Sequence, residues 1–254
     1  MTGTRRNKPF DFTMVLVALL GLALPVAASA QDAPPAWIQL NVVDVQPTMV
    51  DEFLAVQREL MESAKKAKTP WRTVSRTEVF GDTYRFLIAS PVESLSVFDK
   101  RGENDRTLIS RAERCITARR SYAVRALYDV GNPLPEDEEA DLMLINMVTV
   151  APGREQEYMD LMTTELLPHF KEEKMHHVAG AVSIGGEGGF IHVFYVDDFA
   201  ELDKGSPAMR ALGAQGAAEV TAKFSGIVIR NELWVARVVS DASYSALPEE
   251  TDDP

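Results

Sequence analysis

Four histidines stand in this chain, His169, His176, His177 and His192, and all fall in its later half. Imidazole is the side chain whose ordinary pKa lets it give or take a proton near neutrality. His192 alternates with Phe190 and Phe194, while Ile191, Val193 and Tyr195 form the other face of the same run, the period of a strand. An offset of 107 residues sets Arg85 against His192, and one of 111 sets Ser121 against Glu232 and Ala123 against Trp234. An offset of 105 sets Asn41 against Asn146, and an amide offers a ligand both a donor and an acceptor. The candidate proton-transfer residues are therefore His192 and Glu232, with the carboxylate beside the imidazole. The candidate ligand-binding residues are Asn41, Arg85, Asn146 and Trp234. Each has a structural alternative: an asparagine satisfied by backbone or by its counterpart, a histidine hydrogen-bonded in the sheet, a carboxylate at a wet sheet edge.

Other chemistries find less support. No H-x-x-x-H or H-E-x-x-H spacing exists, and adjacent His176 and His177 cannot easily face one ion, so no metal site is expected. His169 to His177 read as a solvated helix end. Haem needs only one axial ligand, for which His169 or His192 is available, but no cofactor is expected. Gly185 to Gly189, GGEGG, lacks the lysine and helix of a phosphate loop and reads as a hairpin turn. No G-x-S-x-G or cysteine–histidine signature is present. The one cysteine, Cys115, shares helical spacing with Leu108, Ile109, Ala112 and Ile116, which makes it a core residue. Arg111, Arg114 and Arg119 nearby keep a reactive thiol in view.

The elements that must position these residues come in two copies. WIQLNVVDVQPTMVDEF over Trp37 to Phe53 returns as LMLINMVTVAPGREQEY over Leu142 to Tyr158, with Leu40 on Ile145, Val45 on Val150, Pro47 on Pro152 and Phe53 on Tyr158. Such a period means one small unit present twice. In the first copy, β-strand Trp37 to Val45 precedes a helix whose stripe includes Val50, Phe53, Leu54, Gln57, Leu60, Met61 and Ala64. Strands Trp71 to Phe80 and Tyr84 to Ala89 follow, then a short helix near Val92 to Lys100, a longer one from Arg106 to Arg119, and strand Tyr122 to Tyr128. Gly131 to Asp141 is an acidic linker. The second copy repeats the plan: strand Leu142 to Val150, helix Arg154 to Lys171, strands Gly180 to Ile184 and Phe190 to Val196, helical pieces between Phe199 and Phe224, and strand Ile229 to Val239. Residues 241–254 are acidic and without period, a disordered tail.

The order β-α-β-β-α-β is the ferredoxin-like unit. One such unit leaves a sheet face bare, and a linked twin can cover it. The expected fold class is α+β: two tandem ferredoxin-like units over residues 37–130 and 142–240 forming a pseudo-dimeric α/β barrel. In its strand–proline–helix openings at Val42 to Phe53 and Met147 to Tyr158, and its strand pairs Thr73 to Ala89 and Ala181 to Val196, the chain resembles the dimeric α/β-barrel superfamily. That group includes antibiotic-biosynthesis-type monooxygenases, EthD-like and NIPSNAP-type proteins. The resemblance implies a small, often aromatic ligand between the sheets; some members oxidise it without metal or flavin, and some bind haem. The candidate residues are accordingly placed on the sheet face away from the helices.

The opening of the chain reads as targeting. Arg5, Arg6 and Lys8 precede an apolar run, Met14 to Leu24, and Ala28-Ser29-Ala30 is a small-residue cleavage site, so residues 1–30 are expected to be a secretory signal peptide. The whole chain carries −12; losing three basic and one acidic residue with the leader makes it −14. So acidic a protein repels phosphate backbones and anionic lipid, which excludes nucleic acid and, after cleavage, the membrane as partners. The expected protein is periplasmic or secreted and holds a small, partly apolar organic ligand, with further pairing into a homo-oligomer left open. Two alternatives stand beside it: a cofactor-independent monooxygenase or isomerase with His192 as base, and a structural or interaction protein without a ligand.

Overall fold

The computed structural model describes residues 36–99, 106–135, 138 and 140–245. The proposed leader and residues 246–254 lie outside the described residues. The first copy runs β1 (Trp37–Val45), a 3-10 turn, α1 (Val50–Lys66), β2 (Trp71–Thr77), β3 (Arg85–Val92), α2 (Arg106–Cys115) and β4 (Ile116–Ala126). The second runs β5 (Leu142–Val150), α3 (Glu155–Leu161), a π-helical segment (Met162–Leu166), α4 (Leu167–Glu172), β6 (His177–Ile184) and β7 (Gly189–Val196). It continues with α5 (Phe199–Leu202), α6 (Pro207–Lys223), β8 (Val228–Val238) and β9 (Tyr244–Ser245). The fold is α+β with one large antiparallel sheet.

Local chemistry sets these boundaries. Pro47 ends β1 and opens the turn into α1, where Asp51 and Glu52 at the start and Lys65 and Lys66 at the end complement the helix dipole. Residues 116–119, expected in the helix, are strand: β-branched Ile116 and Thr117 leave α2 directly, and Thr117 Oγ1 donates to the Asp44 carbonyl at 3.0 Å. Residues 241–245, assigned to the disordered tail, are folded, since Tyr244 and Ser245 pair with Arg72 and Trp71. Gly189 shows why GGEGG is glycine-rich: at φ 138 its backbone passes so close to β5 that a Cβ would lie 2.0 Å from the Val148 carbonyl oxygen.

The strand order is β3-β1-β4-β6-β7-β5-β8-β2-β9, with β2 also paired to β3. Each strand from β1 to β8 thus has a neighbour on both edges. In the register, Asn41 faces Ile88 and Ser121, while Asn146 faces His192 and Leu233. The structural counterpart of His192 is therefore Ile88, not Arg85, and that of Ser121 is Leu233, not Glu232. An odd slip in register turns a side chain to the opposite face.

Three apolar clusters result. One lies under the first-copy helices (Val43, Phe53, Val74, Phe86, Cys115) and one under the second-copy helices (Leu144, Val148, Tyr158, Phe170, Phe190, Phe194). The third fills the sheet's other face from both copies, with Leu40, Val42, Tyr122, Met143, Ile145 and Ile191 among its members. Asn41, Asn146 and His192 alternate with that third set and so face the helices. The expectation that they point away from the helices is corrected: that face is saturated with apolar side chains from both copies. Cys115 is a core residue, fully buried, and burial raises its thiol pKa.

Candidate functional site

The second copy departs from the first in its leading helix. α1 is continuous over 17 residues, whereas its counterpart widens into the π segment Met162–Leu166. Pro168 has no N–H to give the Thr164 carbonyl, and Thr163 and Thr164 turn their hydroxyls back onto Met159 and Asp160 carbonyls at 2.7–3.0 Å. Such widened turns occur often at functional sites. α6 covers the opposite side. Ser206 caps its start, Gly213 breaks it at φ 70, ψ 174, and Lys223 ties its end to Glu165 of the π segment at 2.8 Å.

Between this helical layer and the sheet lies a cavity of about 500 Å³. Its sheet wall includes Asn146, His192, Phe194, Asn231 and Leu233; its helical wall includes Tyr158, Met162, Phe170, Ser206 and Thr221. Among the described residues no Asp, Glu, Lys or Arg lines it. A cavity of this size, mostly apolar with a few polar groups, is the usual form of a small-molecule site.

Asn146 and His192 are direct partners across β5 and β7. His192 is 1% exposed, and its Nε2 lies 2.9 Å from the Tyr158 hydroxyl. Tyr158 is itself buried, stacked on Phe190 at 4.6 Å and tilted against Phe224 at 5.4 Å. Two atoms of this wall, Asn146 Oδ1 and His192 Nδ1, are buried with no hydrogen-bond partner among the described residues. Burial, and secondarily the neighbouring His177, push the His192 pKa down to about 3, so the ring is neutral at physiological pH. Burial raises the Tyr158 pKa above its ordinary value. His177 lies behind His192, with ring centroids 6.4 Å apart; it stacks on Phe194 and its Nε2 meets the Val130 carbonyl at 3.0 Å. His177 is 0% exposed, so it is not part of a solvated helix end.

The other expected site residues lie elsewhere. Arg85 is on the apolar-cluster face, bonded to Asp44 Oδ1 at 2.8 Å and stacked over Trp234 at 5.4 Å. The Asp44 hydrogen bond is the main cause raising its pKa. Glu232 is opposite Met147, with Arg230 Nε at 3.4 Å, so the expected carboxylate beside His192 is not formed. Asn41 Oδ1 accepts from Ser121 Oγ at 2.7 Å and Arg119 Nη2 at 3.1 Å, in the first copy. The structure thus unites Asn146 with His192, and Arg85 with Trp234. Tyr158, met in the sequence only as the match of Phe53 in the repeat, joins the first pair; its hydroxyl in place of a phenyl hydrogen was the available signal.

Among the described residues no group of three or more His, Cys, Asp or Glu is placed to hold a metal, and no helix is long and apolar enough to cross a membrane. For haem, the cavity offers His192, but Tyr158 occupies its Nε2 and no cation lines the walls to meet a propionate. That donor set suits haem poorly.

No family model and no curated protein matches the chain. Solved structures do. A protein of Lactobacillus acidophilus, provisionally named a monooxygenase, is 9% identical with TM-score 0.59, over 84% of this chain and 97% of that one. An anthrone oxidase-like protein is 18% identical with TM-score 0.59, over 85% and 95%. A doubly substituted chlorite dismutase of Candidatus Nitrospira defluvii is 8% identical with TM-score 0.54, over 83% and 94%. The likeness is one of fold.

Proposed function

We propose that the chain is two tandem ferredoxin-like units closed into a pseudo-dimeric α/β barrel, exported, and that the second unit binds a small, uncharged, partly apolar organic molecule beneath its helices. The barrel reading is supported by the strand order, in which β4 pairs with β6 and β8 with β2, each linking one copy to the other. Export is supported by the basic start, the apolar run and Ala28-Ser29-Ala30.

The binding reading rests on one observation: a cavity of about 500 Å³ without a single ionised lining residue, whose wall holds two unpartnered polar atoms on directly paired residues. A buried polar atom without a partner costs roughly 1–3 kcal/mol. A ligand that hydrogen-bonds Asn146 or His192 recovers part of that cost. A charged ligand would lose its hydration with nothing to replace it. The void beside His192 also argues against a purely structural role.

A second reading, a cofactor-independent monooxygenase or isomerase, is favoured by the names of the fold neighbours. It uses the same cavity, with His192 taking a proton from a substrate oriented by Asn146. Burial opposes that step, since a neutral ring with pKa about 3 is a weak base until a polar ligand enters.

Native mass spectrometry and an absorption spectrum of the purified mature chain, with titration of 1-aminoanthracene, test the proposal. A co-purified uncharged organic molecule, or a saturable probe signal that Asn146→Leu weakens about tenfold, is the expected result. A haem absorption band, or a chain that carries nothing and takes up no neutral aromatic probe, refutes it.

A further inference from the structure

We infer that Tyr158 is a positioning residue that holds His192 as the Nδ1–H tautomer, setting an imidazole donor next to the amide acceptor of Asn146. The inference deepens the proposed binding site and rests on that reading for its purpose, though not for its test.

The geometry fixes the proton by elimination. The Tyr158 hydroxyl and His192 Nε2 are 2.9 Å apart. Among the described residues His192 is the only hydrogen-bond partner of that hydroxyl. A phenol is the stronger donor and an imidazole nitrogen the stronger acceptor, so Tyr158 donates and Nε2 carries no proton. The neutral ring then bears its proton on Nδ1. The neighbour across the ladder agrees. Asn146 is the direct strand partner of His192 on the same face, and its Oδ1 is an unfilled acceptor. Nδ1 and Oδ1 lie on paired residues with no hydrogen bond between them. The couple is one donor and one acceptor, which a single ligand hydroxyl can bridge.

The first copy serves as an internal control. The residues at the positions of Tyr158 and His192 are Phe53 and Ile88, and Phe53 packs on Phe86 at 4.9 Å as Tyr158 packs on Phe190 at 4.6 Å. The fold is built there without hydroxyl or imidazole. Both polar members occur together, and only in the copy that holds the cavity of about 500 Å³; the first copy holds one of about 250 Å³ without either.

The test is a long-range proton–nitrogen NMR spectrum of the ligand-free full chain carrying 15N-histidine, with His192 assigned by its loss in His192→Gln. The expected spectrum shows a protonated Nδ1 and a bare Nε2. A protonated Nε2 in the unmodified chain overturns the inference. Tyr158→Phe, which installs the residue found at the matching place in the first copy, is expected to let the Nε2–H form appear; an unchanged tautomer overturns the role of Tyr158. Absence of 1-aminoanthracene binding alongside the expected spectrum would defeat the binding site and leave the tautomer assignment standing, so the two failures are separable.

Discussion

Converting the Tyr158–His192 pair into its first-copy equivalent, by Tyr158→Phe, His192→Ile and the double substitution, gives a stability cycle with signs worked from the structure. Tyr158→Phe leaves Nε2 as well as Nδ1 of a ring that is 1% exposed without a partner, a loss of about 1–3 kcal/mol. His192→Ile strands the buried hydroxyl and costs a similar amount, about 1–3 kcal/mol. The double variant removes both partners together and the unpartnered Nδ1 with them, so it lies within about 1 kcal/mol of the unmodified chain or above it. The two substitutions are therefore expected to be non-additive by at least about 1 kcal/mol. Urea denaturation at pH 7 with unchanged m measures this directly; in a domain of this size 1 kcal/mol is about 2–4 °C in Tm. Probe binding in the double variant is lost while stability is kept. Additive losses, or a double variant less stable by more than about 3 kcal/mol, would show that the pair holds the fold together and serves no ligand.

The remaining predictions concern pH, the second hairpin and the C-terminal strand. His192 and His177 are both held below their ordinary pKa by burial, so below about pH 6.5 the unfolded chain binds protons that the folded chain refuses. Stability is therefore full above that pH and falls by up to about 1.4 kcal/mol per pH unit for each ring as the pH drops toward 5; the double variant should lose the His192 share of this slope. In the hairpin, Gly189→Ala drives a Cβ to 2.0 Å from the Val148 carbonyl oxygen and costs about 3 kcal/mol or more, while Gly188→Ala, with open space around it, costs only the left-handed strain of about 1 kcal/mol. Comparing the two by thermal unfolding isolates the strand contact. Arg72 is buried and bonds Gln57 Oε1 at 2.6 Å and the Ala242 carbonyl at 3.4 Å, and burial lowers its pKa to about 10. Arg72→Ala should cost about 2–4 kcal/mol and speed proteolytic cleavage beyond Val239, where β9 is anchored; unchanged cleavage would mean that the guanidinium does not hold that strand.

How far the sequence could be read depended on which period carried the information. β1 and β5 were legible because alternation and the prolines at 47 and 152 mark both the strand and its end. The correspondence of Asn41 with Asn146 followed from the same match, and each is the fifth residue of a strand paired on both edges. Later elements align less well because their turns differ in length, and a shift of one or three residues inverted the assignments of Glu232 and Arg85. The choice of face failed for a different reason. Alternation says that Asn146 and Val148 share a face, but not which face meets the helices, since both faces of β5 are apolar around the asparagine. His177 was misjudged because a polar residue after a helix end reads as solvated unless the strand that follows is known to be covered by Phe170 and Phe194. The π segment left a trace in Thr163, Thr164 and Pro168, but only a defined helix partner makes such a trace a cavity.

The place of the site follows from the way the two copies share their sheet. The face away from the helices receives side chains from both copies and is filled by them, with Arg85 closing over Trp234 at one end. Space for a ligand must then come from the helical layers. In the first copy α1 is regular, with Phe53, Val56, Gln57 and Met61 buried along it, and the cavity there, beside Trp37, Leu95 and Tyr122, is about 250 Å³. In the second copy the counterpart helix is widened at Met162–Leu166 and the covering helix is broken at Gly213, and the cavity lies between those two irregularities. The same copy replaces Phe53 and Ile88 by Tyr158 and His192. Backbone irregularity and buried polarity each lower stability when nothing is gained. Their occurrence together at one place, where the twin has a regular helix and the apolar residues Phe53 and Ile88, is the physical case for the proposed binding site.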